Sequence, residues 1–359
     1  MTFARFIRIV LSFQIAAISI FIASCGGGSS DDTTPASIDN ARRHSSSPVS
    51  GSLFYGVNGH NGYGSVYRST PQSTQLAQLK DLGMKVYRNE VFSASSASDI
   101  GALANTMAAG GVTVFPVLLM DVGFGSTYNF PDEQSAYNAG YTLGRQTGAQ
   151  HFPYYEVSNE LGAQCLTGNV DGVRITDYDN RKFQTARGVI RGMIAGIRSM
   201  DSRGKIIIGA DTWMHYAFDQ MLANGTQPDG TSGHPVVTWD ITAWHWFSDQ
   251  GDITNACGGT GCYNVIGALH AFGKPVWITE LGVRPSFGNS TQAGAYLAND
   301  MLGGMVSIAS QYDIESVQIY ELYDDPPGGE GPYGLLLNDG LTPKPAYADV
   351  KQFIASHPR

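Results

Sequence analysis

Beyond residue 50, short apolar runs alternate with longer segments of helical period. The short runs, rich in β-branched and aromatic residues, predict eight strands at 54–57, 85–88, 113–118, 154–158, 205–209, 240–245, 275–279 and 316–320. The longer segments predict helices at 72–82, 100–109, 133–147, 180–199 and 291–311. Glycines such as Gly83, Gly148 and Gly273 mark the helix ends, since glycine readily adopts the left-handed conformation found there.

Eight strands, each followed by a helical segment within about 300 residues, predict a (β/α)8 TIM barrel of the α/β class. This single domain is expected to cover residues 51–359. A doubly wound parallel sheet is the main alternative. No glycine-rich phosphate-binding sequence follows the first strand, however, so we favour the barrel.

The first 24 residues are predicted to be a signal peptide, because Arg5 and Arg8 precede an apolar run at 9–23 that is shorter than the roughly 20 residues of a membrane span. The run ends in Ile22-Ala23-Ser24-Cys25, which resembles the lipobox of bacterial lipoproteins. The resemblance implies that Cys25 is lipidated and that residues 25–50, rich in Gly, Ser and Asp, are a flexible linker. An ordinary signal peptide with a chance cysteine is the alternative.

The lipoprotein resemblance also predicts a place in the bacterial cell envelope. Because Gly26 and not Asp follows Cys25, we favour the outer membrane, with the domain facing the periplasm or the surface. The membrane is then a partner through the lipid anchor. The chain has 22 basic and 31 acidic residues, a formal charge of −9, and no basic stripe, so nucleic acid is excluded as a partner.

Three cysteines remain besides Cys25. Cys257 and Cys262 could close a small loop by a disulfide and leave Cys165 free, or Cys165 could pair with one of them. No histidine lies at ligand spacing from these cysteines, so we expect no metal, and no sequence motif requires a cofactor. The pattern gives no indication of the oligomeric state.

Polar residues follow every predicted strand, at the ends where barrel enzymes place their functional groups. In chain order they are Asn58 and His60, Arg88, Asp121, Asn159 and Glu160, Asp211, His245, Glu280, and Tyr320 with Glu321. Asp121 and Asp211 could equally cap the helices that follow. The recurrence at all eight strands predicts a site at this end of the barrel.

Glu160 and Glu280 are the candidate catalytic pair. By the two-residue period of a strand, Glu280 shares a face with Val276 and Ile278, which we expect to fill the barrel interior, so Glu280 should point into the mouth. Strands four and seven face each other, and two converging carboxyl groups are what a retaining glycosidase needs. The alternative is that each glutamate forms a structural ion pair with Arg88 or Arg284.

The pair Asn159-Glu160 after strand four and Glu280 after strand seven resemble the clan A retaining glycoside hydrolases, with families 5 and 39 the nearest. The resemblance implies that Glu160 is the acid/base and Glu280 the nucleophile. It further implies that Asn159 binds the hydroxyl beside the anomeric carbon, that Arg88 supports the nucleophile, and that His245 belongs to the site.

Two positions depart from that family pattern. Its His-x-Tyr on strand six reads His245-Trp246-Phe247 here, and Phe247 has no hydroxyl to bond the nucleophile, so we expect another group to supply that bond, with Tyr320 and Tyr323 as candidates. Tyr320 also stands where the clan places a tryptophan. The expected substrate-binding residues are Asn58, His60, Arg88, Asn159, Trp213, His245, Trp246 and Tyr320.

The leading hypothesis is a cofactor-independent retaining hydrolase of β-linked polysaccharide or oligosaccharide. Long glycine-rich loops at 248–262 and 324–339 favour an extended cleft and endo action. Two alternatives are a non-catalytic sugar-binding lipoprotein on the same barrel, which the Phe247 departure favours, and a transglycosylase that remodels a matrix polymer. A metal-dependent barrel hydrolase is disfavoured, since no His-x-His ends the first strand.

Overall fold

A computed structural model describes residues 52–124 and 129–359 and contains a closed barrel of eight parallel strands. The strands, numbered 1 to 8 here, are Tyr55–Gly59, Val86–Val91, Thr113–Leu118, Tyr154–Val157, Lys205–Thr212, Ile241–Phe247, Val276–Gly282 and Ile314–Ile319. Each pairs with its neighbours in chain order, and strand 8 closes on strand 1. The predicted TIM barrel is therefore confirmed. The predicted signal peptide, linker and Cys25 lie outside the described residues.

Helices follow the strands on the outside of the barrel. They are Val66–Ser69, Gln72–Leu82, Ala94–Ala108, Glu133–Gly148, Leu161–Cys165, Asn180–Met200, Ala217–Asn224, Val265–His270, Ser290–Tyr296, Gly303–Tyr312 and Pro345–Ser356, with a 3-10 turn at Ile175–Asp177 and a π-helical segment at Leu297–Leu302. The helix predicted at 100–109 begins at Ala94, because Ser93 and Ser96 form a capping box. The helix predicted at 291–311 is divided by the π-helical segment. No helix in the described ranges is long and apolar enough to cross a membrane.

The barrel interior is filled by a small cluster separate from the outer core. Trp277 of strand 7 contacts Phe115 of strand 3 across the barrel, with ring centroids 5.6 Å apart, and it also contacts Tyr154. Val276 and Ile278 belong instead to the outer core between strands and helices. The expectation that these two residues fill the interior is therefore wrong.

Glu280 nevertheless reaches the mouth because strand 7 contains a β-bulge. Ile278 pairs with Trp244 and Glu280 pairs with the next residue of strand 6, His245, so Thr279 is an extra residue in strand 7. A bulge of this kind reverses the alternation of side chains beyond it. Glu280 therefore points inward, although two-residue counting from the outward-facing Ile278 places it on the outside.

Two outer helices, Glu133–Gly148 and Asn180–Met200, touch through their backbones. Glycines recur at every fourth residue on both: Gly140, Gly144 and Gly148 face Gly188, Gly192 and Gly196. A Cβ on Gly192 would lie 2.1 Å from the Tyr137 carbonyl oxygen, so a side chain has no room there. The close approach fixes the helices that connect strands 3, 4 and 5, and strand 4 leads into Asn159 and Glu160.

A disulfide joins Cys257 to Cys262 in a hairpin of two three-residue strands, Ala256–Gly258 and Gly261–Tyr263. Cys165 is a buried free thiol. This is the first of the two pairings expected from the sequence. The hairpin turn is held by Asp171, whose carboxylate accepts hydrogen bonds from the backbone N–H groups of Gly259 and Thr260 at 3.1 and 2.6 Å.

Candidate active site

Glu160 and Glu280 meet at the carboxyl ends of the barrel strands, with His245 against both. His245 Nδ1 lies 2.8 Å from Glu160 Oε1 and 3.3 Å from Glu280 Oε2. One carboxylate oxygen of each glutamate and a ring nitrogen of His245 all lie within 4.8 Å of one another. The structure therefore brings together the two carboxylates that the sequence singled out.

Arg88 connects four elements beneath this pair. It is 2% exposed and donates hydrogen bonds to Glu280 Oε1 at 2.7 Å, Asn58 Oδ1 at 2.8 Å, Asn159 Oδ1 at 2.7 Å and Glu156 Oε2 at 2.5 Å. The planar guanidinium suits several acceptors at fixed angles. Arg88 therefore fixes the nucleophile candidate and both asparagines in one arrangement.

The backbone around Glu160 is unusual. Strand 4 ends at Val157, and Ser158 and Glu160 both have positive φ, at 72° and 49°. Non-glycine residues in this region are uncommon and cluster at functional sites. The kinked segment places Asn159 and Glu160 over the mouth rather than along the strand, and about a third of the Glu160 side chain is exposed.

The protonation of the three central groups is linked. Burial raises the pKa of Glu280 above 4.5, and the charges of His245 and Arg88 offset only part of this rise. Burial also acts to raise the pKa of Glu160, but the hydrogen bond and charge of His245 outweigh it and hold that pKa below its ordinary value. Burial lowers the pKa of His245, whereas Glu280 and Glu160 raise it to a net value above 6.5.

The expected tyrosine bond to Glu280 is not formed. The hydroxyl of Tyr320 donates to Glu330 Oε2 at 3.0 Å, and that of Tyr323 donates to Gln78 Oε1 at 2.5 Å. Arg88 and His245 are the groups that contact Glu280 instead. The expectation that a nearby tyrosine replaces the missing hydroxyl is therefore wrong.

Phe247 has a different partner, Arg284. The Arg284 guanidinium carbon lies 3.9 Å from the centroid of the Phe247 ring, and Arg284 also pairs with Asp249 and bonds the Tyr333 hydroxyl. A cation over an aromatic face is a favourable contact. Arg284 thus belongs to the wall of the mouth and not to an ion pair with either catalytic candidate.

The remaining predicted substrate-binding residues fall into two groups. His60 and the half-buried Trp213 lie at the mouth, His60 against Glu90 and Glu321. Trp246 is 2% exposed and stacks beneath Trp213 with ring centroids 6.0 Å apart, so it supports that ring from behind.

Asn58 and Tyr320 belong to the buried group as well. Asn58 is 2% exposed and is fully engaged with Arg88 and the carbonyl oxygens of Thr279 and Ile319. Tyr320 is 6% exposed and lies edge-on to the His60 ring. Asp211 accepts a hydrogen bond from the N–H of Ala163 in the helix Leu161–Cys165, which precedes strand 5, and it does not cap the helix that follows, Ala217–Asn224.

Several residues of the site were not singled out from the sequence. Glu156, which shares a strand face with Ser158 and Glu160 by the two-residue period, is the buried partner of Arg88. Glu90, which ends the polar run Arg88-Asn89-Glu90 after the second predicted strand, has no role predicted from the sequence and is a partner of His60. Tyr63, Phe92 and Glu330 lie in loops or at loop junctions, where no periodicity indicates which side chains face the mouth.

No protein-family model and no curated protein sequence matches the chain. Solved structures do match it. A family 39 glycoside hydrolase from the gut symbiont Bacteroides cellulosilyticus WH2 has a TM-score of 0.56 at 14% identity, covering 84% of this chain and 63% of its own. The chain thus spans less than two thirds of that protein.

Two further structures cover more of their own length. GH5_18 from Streptomyces cattleya, solved in complex with GlcNAc, has a TM-score of 0.56 at 17% identity over 85% of this chain and 80% of its own. A β-glycosidase from Pyrococcus horikoshii has a TM-score of 0.62 at 11% identity over 84% and 93%. The chain has the barrel fold of these glycosidases. At such identities the likeness establishes the fold alone.

Proposed function

We propose that the protein is a retaining β-glycoside hydrolase with Glu160 as acid/base and Glu280 as nucleophile. The observation that carries the proposal is the approach of the two carboxylates within 4.8 Å of each other. Retaining glycosidases hold their carboxyl groups about 5–5.5 Å apart, whereas inverting enzymes need about 6.5–9.5 Å to admit a water molecule. The similarity of fold to family 39 and family 5 glycosidases supports the same reaction class.

In the first step, Glu160 gives its proton to the glycosidic oxygen while a Glu280 carboxylate oxygen attacks the anomeric carbon. The bond to the leaving sugar breaks, and a covalent glycosyl ester forms on Glu280. In the second step, Glu160, now ionised, takes a proton from water, and the resulting nucleophile cleaves the ester and releases the sugar with its original configuration.

In the resting site, His245 is the group that holds the proton against Glu160. A sugar lying over the pair excludes water from the partly exposed Glu160, and desolvation raises the pKa of a carboxyl group. We infer that the proton then passes to Glu160 along the 2.8 Å contact with His245 Nδ1. Arg88 keeps Glu280 ionised by its charge and holds Asn159 in position.

Glu160, His245 and Glu280 could each offer one ligand atom to a divalent cation. The guanidinium of Arg88 already lies 2.7 Å from Glu280 Oε1, so a second positive charge would be repelled there. The charge arrangement therefore favours a proton shared among the three groups over a metal ion.

The proposal is tested by measuring how fast variants with single substitutions hydrolyse a panel of aryl β-glycosides. Glu280→Gln should abolish turnover. Glu160→Ala should slow it by a factor on the order of 10²–10⁴ and be rescued by azide, which attacks the glycosyl ester without general-base help. Glu315→Gln, an exposed carboxylate of strand 8 away from the mouth, should leave turnover unchanged. Full activity in both mouth variants would refute the assignment.

A second candidate is a non-catalytic sugar-binding protein, favoured by Phe247 in place of the tyrosine and by the lowered pKa of Glu160. Binding of a glycan without turnover, in both the unsubstituted chain and Glu280→Gln, would establish it. Transfer of the glycosyl ester to an added sugar acceptor would instead indicate a transglycosylase. Product lengths released from a polymer decide whether the enzyme is endo-acting, as the long mouth loops lead us to propose.

We also propose that Cys25 carries a lipid that anchors the protein in the bacterial envelope, in the outer membrane. Incorporation of labelled fatty acid into the full chain, and its loss in Cys25→Ser, is the expected result. Separation of the two membranes on a density gradient then tests the location. A soluble, unlabelled full chain would contradict the anchor.

A further inference from the structure

Two aromatic rings are exposed on the side of the mouth where His60 lies. Tyr63, in the loop after strand 1, is 57% exposed, and Phe92, directly after strand 2, is 44% exposed. Their rings stack at 5.2 Å with an interplanar angle of 23°. In the described ranges, eight large hydrophobic side chains are exposed, and Tyr63 and Phe92 are the two aromatic ones among them. They come from different loops and lie side by side in the fold.

The stacked pair is continuous with the catalytic mouth. The ring of His60, which lies at the mouth, is 6.2 Å from the Tyr63 ring and 5.6 Å from the ring of the buried Tyr320.

An exposed, flat, rigid aromatic surface next to a glycosidase mouth suits a pyranose ring. The C–H faces of sugars pack on aromatic planes, because the negative face of the ring attracts the C–H groups. Aromatic side chains offer this area with little loss of conformational entropy, because they have only two rotatable angles. Tyr63 and Phe92 leave 57% and 44% of their surface exposed, so much of each ring is available to a ligand.

The charges around the platform limit what sugar it accepts. The carboxylates of Glu90, Glu321 and Glu330 lie on this side of the mouth, and His60 is held between the first two. Arg88 is already bonded to four acceptors. Among the described residues around the platform, the charged groups are therefore carboxylates that can accept hydrogen bonds from hydroxyl or amino groups, and cations, His60 and Arg88, that are already paired with carboxylates.

We propose that Tyr63 and Phe92 form a sugar-binding subsite for a pyranose ring without a carboxylate group, a neighbouring unit of the same glycan that occupies the catalytic mouth. The proposal rests on the proposed glycosidase function and names its substrate class: a polymer of neutral or amine-bearing sugars, not a polyuronate.

Affinity electrophoresis of the full chain carrying Glu280→Gln tests the subsite. The gels contain mixed-linkage β-glucan, glucomannan, xylan, chitosan, polymannuronate or polygalacturonate. We expect at least one of the first four polymers to retard the protein and neither polyuronate to do so. Adding Tyr63→Ala or Phe92→Ala should weaken that retardation about fivefold, whereas Tyr63→Phe, which keeps the ring, should preserve it.

Tyr141→Ala is the matched control, because Tyr141 stacks on Tyr137 on an outer helix away from the mouth, and its retardation should equal that of the parent. Melting temperatures confirm that each variant is folded. Unchanged retardation in both alanine variants, preference for a polyuronate, or no retardation by any polymer would overturn the subsite. If the unsubstituted chain hydrolyses an aryl β-glycoside but polymer binding does not depend on Tyr63, the subsite is refuted and the glycosidase function stands. If polymer binding depends on Tyr63 but the unsubstituted chain hydrolyses no substrate, the glycosidase function is refuted and the subsite stands.

Discussion

His245 Nδ1 lies 2.8 Å from Glu160 Oε1, so the imidazole is bonded to the residue proposed to protonate the leaving group. The pKa of His245 is raised above 6.5, and above that raised pKa the site loses its shared proton. The alkaline limb of kcat/KM should therefore lie above pH 6.5. In His245→Gln the proton is held by carboxyl groups alone, and the limb should move to lower pH.

The pH profile of kcat/KM on an aryl β-glycoside measures this shift. His270→Gln serves as the control, because His270 is an exposed residue at the end of an outer helix, and its profile should match that of the unsubstituted chain. An unchanged alkaline limb in His245→Gln would show that His245 does not hold the catalytic proton.

The acidic limb should lie above pH 4.5. The nucleophile must be ionised, and burial raises the pKa of Glu280 above that value, so activity is lost as the pH falls through the raised pKa. Because the charge of Arg88 opposes this rise, Arg88→Met should move the limb to still higher pH, whereas Arg88→Lys should move it less. A limb at the same pH in all three proteins would contradict the proposed pairing of Arg88 with Glu280.

Gly192→Ala should destabilise the protein by about 1–3 kcal/mol, because a Cβ there meets the Tyr137 carbonyl oxygen at 2.1 Å and the two helices must move apart. Gly304→Ala is the matched change in an exposed helix where nothing lies within 4 Å of the new Cβ. It should stabilise the protein by about 0.4–1 kcal/mol. Urea unfolding of both variants checks the opposite signs, and equal effects would contradict the backbone contact.

Asp171→Asn should loosen the disulfide hairpin. Burial acts to raise the pKa of Asp171, but hydrogen bonds from Thr260 and Gly259 outweigh it, so the pKa is lowered and the carboxylate form is the one that holds the turn. This contribution is present above pH 3.8 and is lost as the pH falls through the lowered pKa. We expect roughly tenfold faster amide exchange at Gly259 and Thr260 in the variant.

Asp339→Asn is the control for Asp171→Asn, because Asp339 lies in an exposed loop after strand 8. This variant should not change amide exchange at Thr260. In the unsubstituted chain, the protection factor of the Thr260 amide should fall to that of Asp171→Asn once the pH is below the lowered pKa of Asp171. If the Thr260 amide stays protected from exchange both in Asp171→Asn and at low pH, the disulfide alone holds the turn.

The sequence by itself determined the barrel and the residues at its mouth. Strand 3 and the helix Gln72–Leu82 have the predicted bounds, because hydrophobic period and flanking turn residues are local properties of the chain. Glu160, Glu280, Arg88 and His245 could be selected because parallel strands bring their carboxyl ends to one rim. The local pattern does not specify which of these residues contact one another.

Tertiary structure decided how those residues meet. Thr279 forms the bulge that turns Glu280 inward, and a bulge depends on the register with strand 6, which no single strand encodes. The four bonds of Arg88, the loss of the expected tyrosine contact and the exposure of Tyr63 and Phe92 likewise depend on packing between distant segments. Periodicity specifies which face of an element is apolar, but the closed barrel determines which polar groups come within bonding distance.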